Sequence, residues 1–236
     1  MGQDINMKVV LLAGGFGSRL SEFTHTTPKP MVEVGGKPIL FHIMKHYAKY
    51  GFNDFYIALG YKGEIIKKYF SKNFLNWKVT CVETGKNTMT GGRLRRLRKH
   101  LGKGTFMMTY GDGLSNINLK KLLNFHEKNK KLVTVSAVRP PARFGSLTLK
   151  GNNVNYFKEK PKVEQGWING GFFVMETEFL KFINSDKTYL EREPLEIESK
   201  KKQLMAFRHE GFWQCMDTKR DKDRLNKILI NKKIKF

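Results

Sequence analysis

The apolar run Val9-Val10-Leu11-Leu12 passes through Ala13 into Gly14-Gly15-Phe16-Gly17-Ser18-Arg19. A strand that ends this way must turn at once, and no Cβ shields the backbone N–H groups of its loop. That junction suits a parallel α/β sheet, whose ligands sit at the carboxyl ends of the strands. The spacing is not that of a P-loop. It also misses the dinucleotide fingerprint, because Leu20 stands where the third glycine belongs. A glycine pair by itself reads as a tight turn. Pro28-Lys29-Pro30 argues for more: two prolines fix the backbone around one lysine, a placement suited to a phosphate ligand. Arg19 and Lys29 can then supply the positive charge a polyphosphate needs.

The first half alternates short apolar strands with helical periodicity, as a sheet flanked by helices requires. Strands are expected at Lys8–Leu12, Asp54–Leu59, Lys78–Glu83 and Thr105–Tyr110. Helices are expected from Pro38, over Glu64–Tyr69 and over Gly92–Leu101. The second half is more mixed. Leu119–Phe125, Glu178–Ile183, Pro194–Lys201 and the tail from Arg220 read as helical. Leu132–Val138, Ser146–Leu149, Val154–Lys158, Gly170–Met175 and Leu204–His209 read as strands.

At 236 residues and 40% hydrophobic, the chain can bury a sizeable core in one α/β domain. No apolar run is long enough for a bilayer, so membrane insertion is not expected. Residues 1–6 read as a leader or an alternative start rather than a secretory signal. Cys81 and Cys215 stand far apart without metal-ligand spacing, which suits a reduced, cytoplasmic setting. A net charge of +23 raises a rival reading, a non-catalytic nucleic-acid-binding protein. The lysines are spread along the chain and no RNP, zinc-finger or helix-turn-helix signature accompanies them, so a solvated lysine-rich surface with no specific nucleic-acid partner is preferred. Such a field would still attract anionic small molecules.

Two aspartates stand out. Asp112, in Tyr110-Gly111-Asp112-Gly113, follows a buried strand, with nothing strand-like expected directly after it. Asp-Gly is also a hairpin signal. Asp217 closes the aromatic stretch Phe212-Trp213-Gln214-Cys215-Met216, where a carboxylate is either partly buried or bound to a cation. Thr88-Met89-Thr90-Gly91-Gly92-Arg93 opens a helix. Helix N-termini favour anions, and Arg93 could add a bidentate donor; an ordinary cap at Thr90 with an exposed Arg93 is the plainer alternative.

The Gly-Gly-Phe-Gly-Ser-Arg-Leu loop followed by Pro-Lys-Pro resembles the signature of the sugar-nucleotide pyrophosphorylases. These nucleotidyltransferases join a nucleoside triphosphate to a sugar 1-phosphate. The resemblance runs from about Lys8 to Asp221. It implies a Rossmann-like, mostly parallel central sheet flanked by helices, the nucleotide-diphospho-sugar transferase fold, with a smaller sugar-binding portion. It divides the chain into a single nucleotidyltransferase domain over 7–221, with a nucleotide-binding half at 7–113 and a sugar-phosphate-binding half at 114–221, followed by a helical tail at 222–236.

The same resemblance implies site roles. Arg19 and Lys29 neutralise phosphate in catalysis. Leu12, Ala13, Gly14, Gly15, Gly17, Ser18 and Gly111 cradle the nucleotide, with Thr88 and Arg93 near it. Asp112 and Asp217 hold Mg²⁺, a cation that takes one or two carboxylates and completes its shell with phosphate and water. Arg143, Gly145, Glu159, Lys160 and Asn169 surround the sugar phosphate. Met-Thr-Gly-Gly-Arg matches the cytidylyl-transferring members, and the Gln-x-x-Pro-x-Gly-Leu-Ala stretch of the thymidylyl relatives is absent. CTP and α-D-glucose 1-phosphate are therefore the implied substrates, with another nucleotide or phosphorylated acceptor as the alternative. The connector 71–78 is shorter than in the glucose 1-phosphate enzymes, which leaves a homo-oligomer possible and the assembly open.

Overall fold

A computed structural model describes residues 7–71, 76–141, 146–158 and 166–231. In chain order the elements are β1 (Lys8–Leu12), α1 (Ser21–Thr24), β2 (Glu33–Val34), β3 (Lys37–Pro38), α2 (Ile39–Ala48), β4 (Asp54–Leu59), α3 (Gly63–Phe70), β5 (Lys78–Glu83), α4 (Thr90–Leu101) and β6 (Thr105–Tyr110). There follow β7 (Gly113–Ser115), α5 (Leu119–Asn129), β8 (Val133–Val138), β9 (Ser146–Lys150), β10 (Asn153–Lys158), β11 (Ile168–Glu176), α6 (Glu193–Lys200), β12 (Leu204–His209), β13 (Trp213–Cys215) and α7 (Lys219–Ile230).

Seven strands form the central sheet in the order β12-β8-β11-β6-β1-β4-β5. β6, β1, β4 and β5 run parallel, β8 and β12 are parallel to each other, and β11 pairs antiparallel with both β6 and β8. The mostly parallel sheet expected from the strand–helix alternation is thus present. Side-chain alternation along β1 splits the core between two faces. Val9 and Leu11 join Ile43, Met44 and Leu122 on one face, while Val10 and Leu12 join Leu94, Leu97 and Phe179 on the other. Leu225 of α7 is fully buried in the first cluster, so the division at 221 falls inside a helix that belongs to the core.

The chain leaves β1 toward β4 on one side and β6 on the other, so the strand order reverses there and opens a crevice. The glycine loop follows β1, Asp112 follows β6, and Gly111 N donates to Leu12 O at 3.1 Å across the gap.

Several elements differ from expectation, and the short α1, β2, β3 and β13 were not expected at all. Asp112 is followed directly by a short strand, β7, and it pairs with β13 rather than folding back on β6. The segment after β11 is a 3-10 helix over Thr177–Phe182. Helix α4 begins at Thr90, before its two glycines, instead of at Gly92. The leader at 1–6, the connector residues 72–75, and the site candidates Arg143, Gly145, Glu159 and Lys160 lie outside the described residues.

Candidate active site

The glycine loop is shaped from behind as much as from its open side. A Cβ on Gly14 would overlap the Arg93 guanidinium, while one on Gly15 would meet nothing within 4 Å. Gly17 adopts φ +65°, and its Cβ would stand 2.9 Å from Lys29 Cβ. That left-handed turn lets the loop lean directly on the Pro-Lys-Pro segment.

Arg93 is nearly buried at 4% exposure. Its Nη1 donates to Leu59 O (3.0 Å), Thr84 Oγ1 (2.8 Å) and Gly85 O (2.8 Å). Its Nη2 donates to Gly14 O (2.9 Å) and Lys86 O (3.4 Å). Burial, with Arg96 nearby, pushes its pKa down to about 10. Neither sequence-based expectation for this residue describes it. It is not exposed, and its fork is spent on protein oxygens rather than held open for an anion. It ties the glycine loop to the ends of β4 and β5 while still bordering the cleft. Thr90 is not the cap either: Met89 holds that position without a side-chain cap.

Lys29 opens a 3-10 turn over Lys29–Met31 that begins after the extended Pro28. Its Nζ lies 2.7 Å from Asp112 Oδ2 and 2.7 Å from Asp217 Oδ1. Arg19 Nη1 lies 2.8 Å from Asp217 Oδ2. Burial opposes the charge on Lys29, but the two carboxylates outweigh it and raise the ammonium pKa. Burial likewise opposes ionisation of Asp217, yet Lys29 and Arg19 hold its carboxyl below the usual range. Asp217 is therefore a charged acceptor, and it shares the Lys29 ammonium with Asp112.

The convergence of these distant aspartates has a local cause. β7 and β13 pair antiparallel, with Gly113 opposite Cys215, and Met216 N donates to Asp112 O at 2.9 Å. Beyond that ladder the chain enters α7 through a capping box at Thr218 and Asp221. Asp221 Oδ2 accepts from Asp217 N at 3.2 Å and Thr218 N at 3.0 Å, which fixes the backbone that carries Asp217.

Two clefts meet at this quartet. The first, about 310 Å³, is bordered by the residues 12–15 and 17–19 together with Lys29, Thr88, Arg93, Gly111 and Asp112. The structure thus gathers all the nucleotide-side candidates. Phe16, Lys86 and Met89 border it too, and sequence patterning did not single them out. The second cleft, about 340 Å³, shares Arg19, Tyr110 and Asp112 with the first and adds Asn169, Glu191, Trp213 and Asp217. Glu191 and Tyr110 were also missed. Glu191 precedes a helix and reads there as an ordinary acidic residue near an N-terminus.

Mg²⁺ can be tested against this donor set. Two hard oxygen ligands already converge on one cation at 2.7 Å. Among the described residues no group of three or more His, Cys, Asp or Glu forms a closed protein cage. A pair of carboxylates with room for phosphate and water is the arrangement Mg²⁺ favours, so these residues fit the ion.

A mixed α/β sheet with a glycine loop, a buried lysine and an aspartate pair at its switch point defines a class, and residues 8–218 match the model of the nucleotidyl transferase family. The chain belongs to that family. It is 46% identical over 239 residues to glucose-1-phosphate cytidylyltransferase of Salmonella typhimurium, covering 92% of this chain and 93% of that one. It is 41% identical over 244 residues to the probable glucose-1-phosphate cytidylyltransferase of Bacillus subtilis, covering 94% and 96%. Among solved structures, HddC from Yersinia pseudotuberculosis matches with a TM-score of 0.73 and 26% identity, over 94% of this chain and 98% of that chain. Among the described residues, no helix is long and apolar enough to cross a membrane.

Proposed function

We propose that this protein transfers a cytidylyl group from CTP to α-D-glucose 1-phosphate, giving CDP-glucose and pyrophosphate. A phosphate oxygen of the sugar 1-phosphate forms a bond to the α-phosphorus, and the bond from that phosphorus to the bridging oxygen of pyrophosphate breaks. The observation that carries this reading is the Arg19–Lys29–Asp112–Asp217 quartet, which lies where two clefts join. One cleft takes the nucleotide and the other the sugar phosphate.

No side chain has to act as a covalent nucleophile, so the protein contributes position and charge. The N–H groups of the glycine loop face the triphosphate, and Lys29 and Arg19 neutralise oxygens on the reacting phosphates. Asp112 and Asp217 would hold Mg²⁺, which when bound withdraws charge from phosphoryl oxygens. Asn169 serves the sugar side, and Arg143, Gly145, Glu159 and Lys160 are assigned there with it. The halves 7–113 and 114–221 divide these tasks. Work on soluble phosphorylated metabolites suits a cytoplasmic enzyme, and self-association is left to measurement.

The test is a matrix of nucleoside triphosphates against sugar 1-phosphates, read by pyrophosphate release with Mg²⁺. CTP with glucose 1-phosphate is expected to give the highest kcat/KM. A clear preference for another pair would keep the chemistry and replace the substrates; no release from any pair would overturn the assignment.

A further inference from the structure

Tyr110 ends β6, and its ring fits only because residue 171 is glycine. A Cβ on Gly171, at φ +78°, would stand 2.7 Å from Tyr110 Cδ2. The hydroxyl so placed donates to Glu191 Oε1 at 2.6 Å. Asn169 borders the same cleft, and its Oδ1 accepts from Gly171 N at 2.8 Å. The other oxygen of Glu191, Oε2, accepts from Thr90 Oγ1 at 2.7 Å. Thr90 Oγ1 in turn accepts from Leu190 N at 2.9 Å, which pins the backbone beside Glu191.

The loop that carries Glu191 is docked on α4 through two glycines. Met89 N donates to Asp186 O and Gly92 N to Thr188 O. A Cβ on Gly92 would come 2.5 Å from Asp186 O, and one on Gly91 would come 2.8 Å from Thr188 O. Thr90-Gly91-Gly92 therefore positions a carboxylate in the second cleft. A carboxylate oxygen can accept two hydrogen bonds, so each oxygen of Glu191 has capacity for a ligand hydroxyl beside its protein donor. A carboxylate repels phosphate, whereas Arg19 at the shared end of the clefts attracts it. A sugar phosphate placed between them has its phosphate turned toward the reacting centre and its hydroxyls toward Glu191.

We propose that Glu191 is a specificity residue that accepts a hydrogen bond from a ring or exocyclic hydroxyl of the acceptor sugar. This rests on the sugar 1-phosphate reading above. Tyr110 and Thr90 are positioning residues that hold its carboxylate in one orientation.

The test compares wild type with Glu191→Gln and Glu191→Ala, using CTP, glucose 1-phosphate and its monodeoxy analogues, with pyrophosphate release as the signal. Both variants are expected to raise KM for glucose 1-phosphate about tenfold, the loss of one charged hydrogen bond, while KM for CTP stays within about twofold of wild type. With the one analogue that lacks the contacted hydroxyl, the gap between wild type and Glu191→Gln closes. Should Glu191→Ala melt early, the isosteric Gln variant carries the comparison. An unchanged acceptor KM, an equal rise for CTP, or a penalty that persists with every deoxy analogue would overturn the role of Glu191. A wild-type protein that releases no pyrophosphate with any sugar phosphate would overturn the underlying function instead.

Discussion

Arg93 puts a buried cation behind a loop that must receive an anion. Its guanidinium donates to carbonyls from the glycine loop and from the segments after β4 and β5. Arg93→Lys keeps the charge but replaces a planar fork of five donors with one ammonium, which cannot bond Gly14 O, Leu59 O and Gly85 O together. The variant should lose about 2 kcal/mol of stability, the worth of a hydrogen bond from a charged group, and KM for CTP should rise as the loop slackens. Thermal unfolding with and without CTP measures both. Sequence patterning put Arg93 at a helix start as an anion donor or an exposed residue, whereas its Nη groups bond protein oxygens at the edge of the cleft. Its contacts come from three separate loops, and no local pattern encodes that arrangement. Lys29 and Asp112 were legible because prolines and glycines beside them act over neighbouring residues.

At the scale of elements, the sheet was readable where a strand is six residues long, enough for an apolar run or an alternating pattern to show. β4, β5, β6 and β12 have the bounds that patterning gives. β7 and β13 span three residues each, too short for any periodicity, yet their pairing brings Asp112 and Asp217 together. The packing of α2 carries its own pH dependence. His46 is 3% exposed, and its Nε2 lies 2.9 Å from Ile117 O on the chain leading into α5. Burial pushes its pKa down to about 4; the Ile117 carbonyl opposes this, while Lys49 and His209 add to it. The folded protein therefore keeps His46 neutral while the unfolded chain, with an ordinary histidine pKa of about 6.5, takes up a proton. Stability from this residue is full above pH ~6.5 and falls through the window down to pH ~4, by about 3 kcal/mol in total. His46→Gln retains an N–H donor and cannot titrate. Urea unfolding at pH 7 and pH 4 should show the variant losing about 3 kcal/mol less than wild type; equal losses would contradict the assignment.

For the molecule as a whole, the central claim is that residues from opposite ends of the chain form one metal-dependent centre. The fold makes this geometrically possible: the loop after β1 and the segment after β6 share the sheet's switch point, and the β7–β13 ladder adds Asp217. Groups that act as a unit show strongly non-additive losses. The most direct measurement is therefore the rate of pyrophosphate release from CTP and glucose 1-phosphate, with Mg²⁺, for wild type, Asp112→Asn, Asp217→Asn and the double variant, each confirmed folded by its melting curve. Each single variant is predicted to lose at least about 10³-fold in kcat, and the double variant to be no worse than either. Losses that multiply in the double variant, or a single variant that turns over at the wild-type rate, would contradict a shared centre.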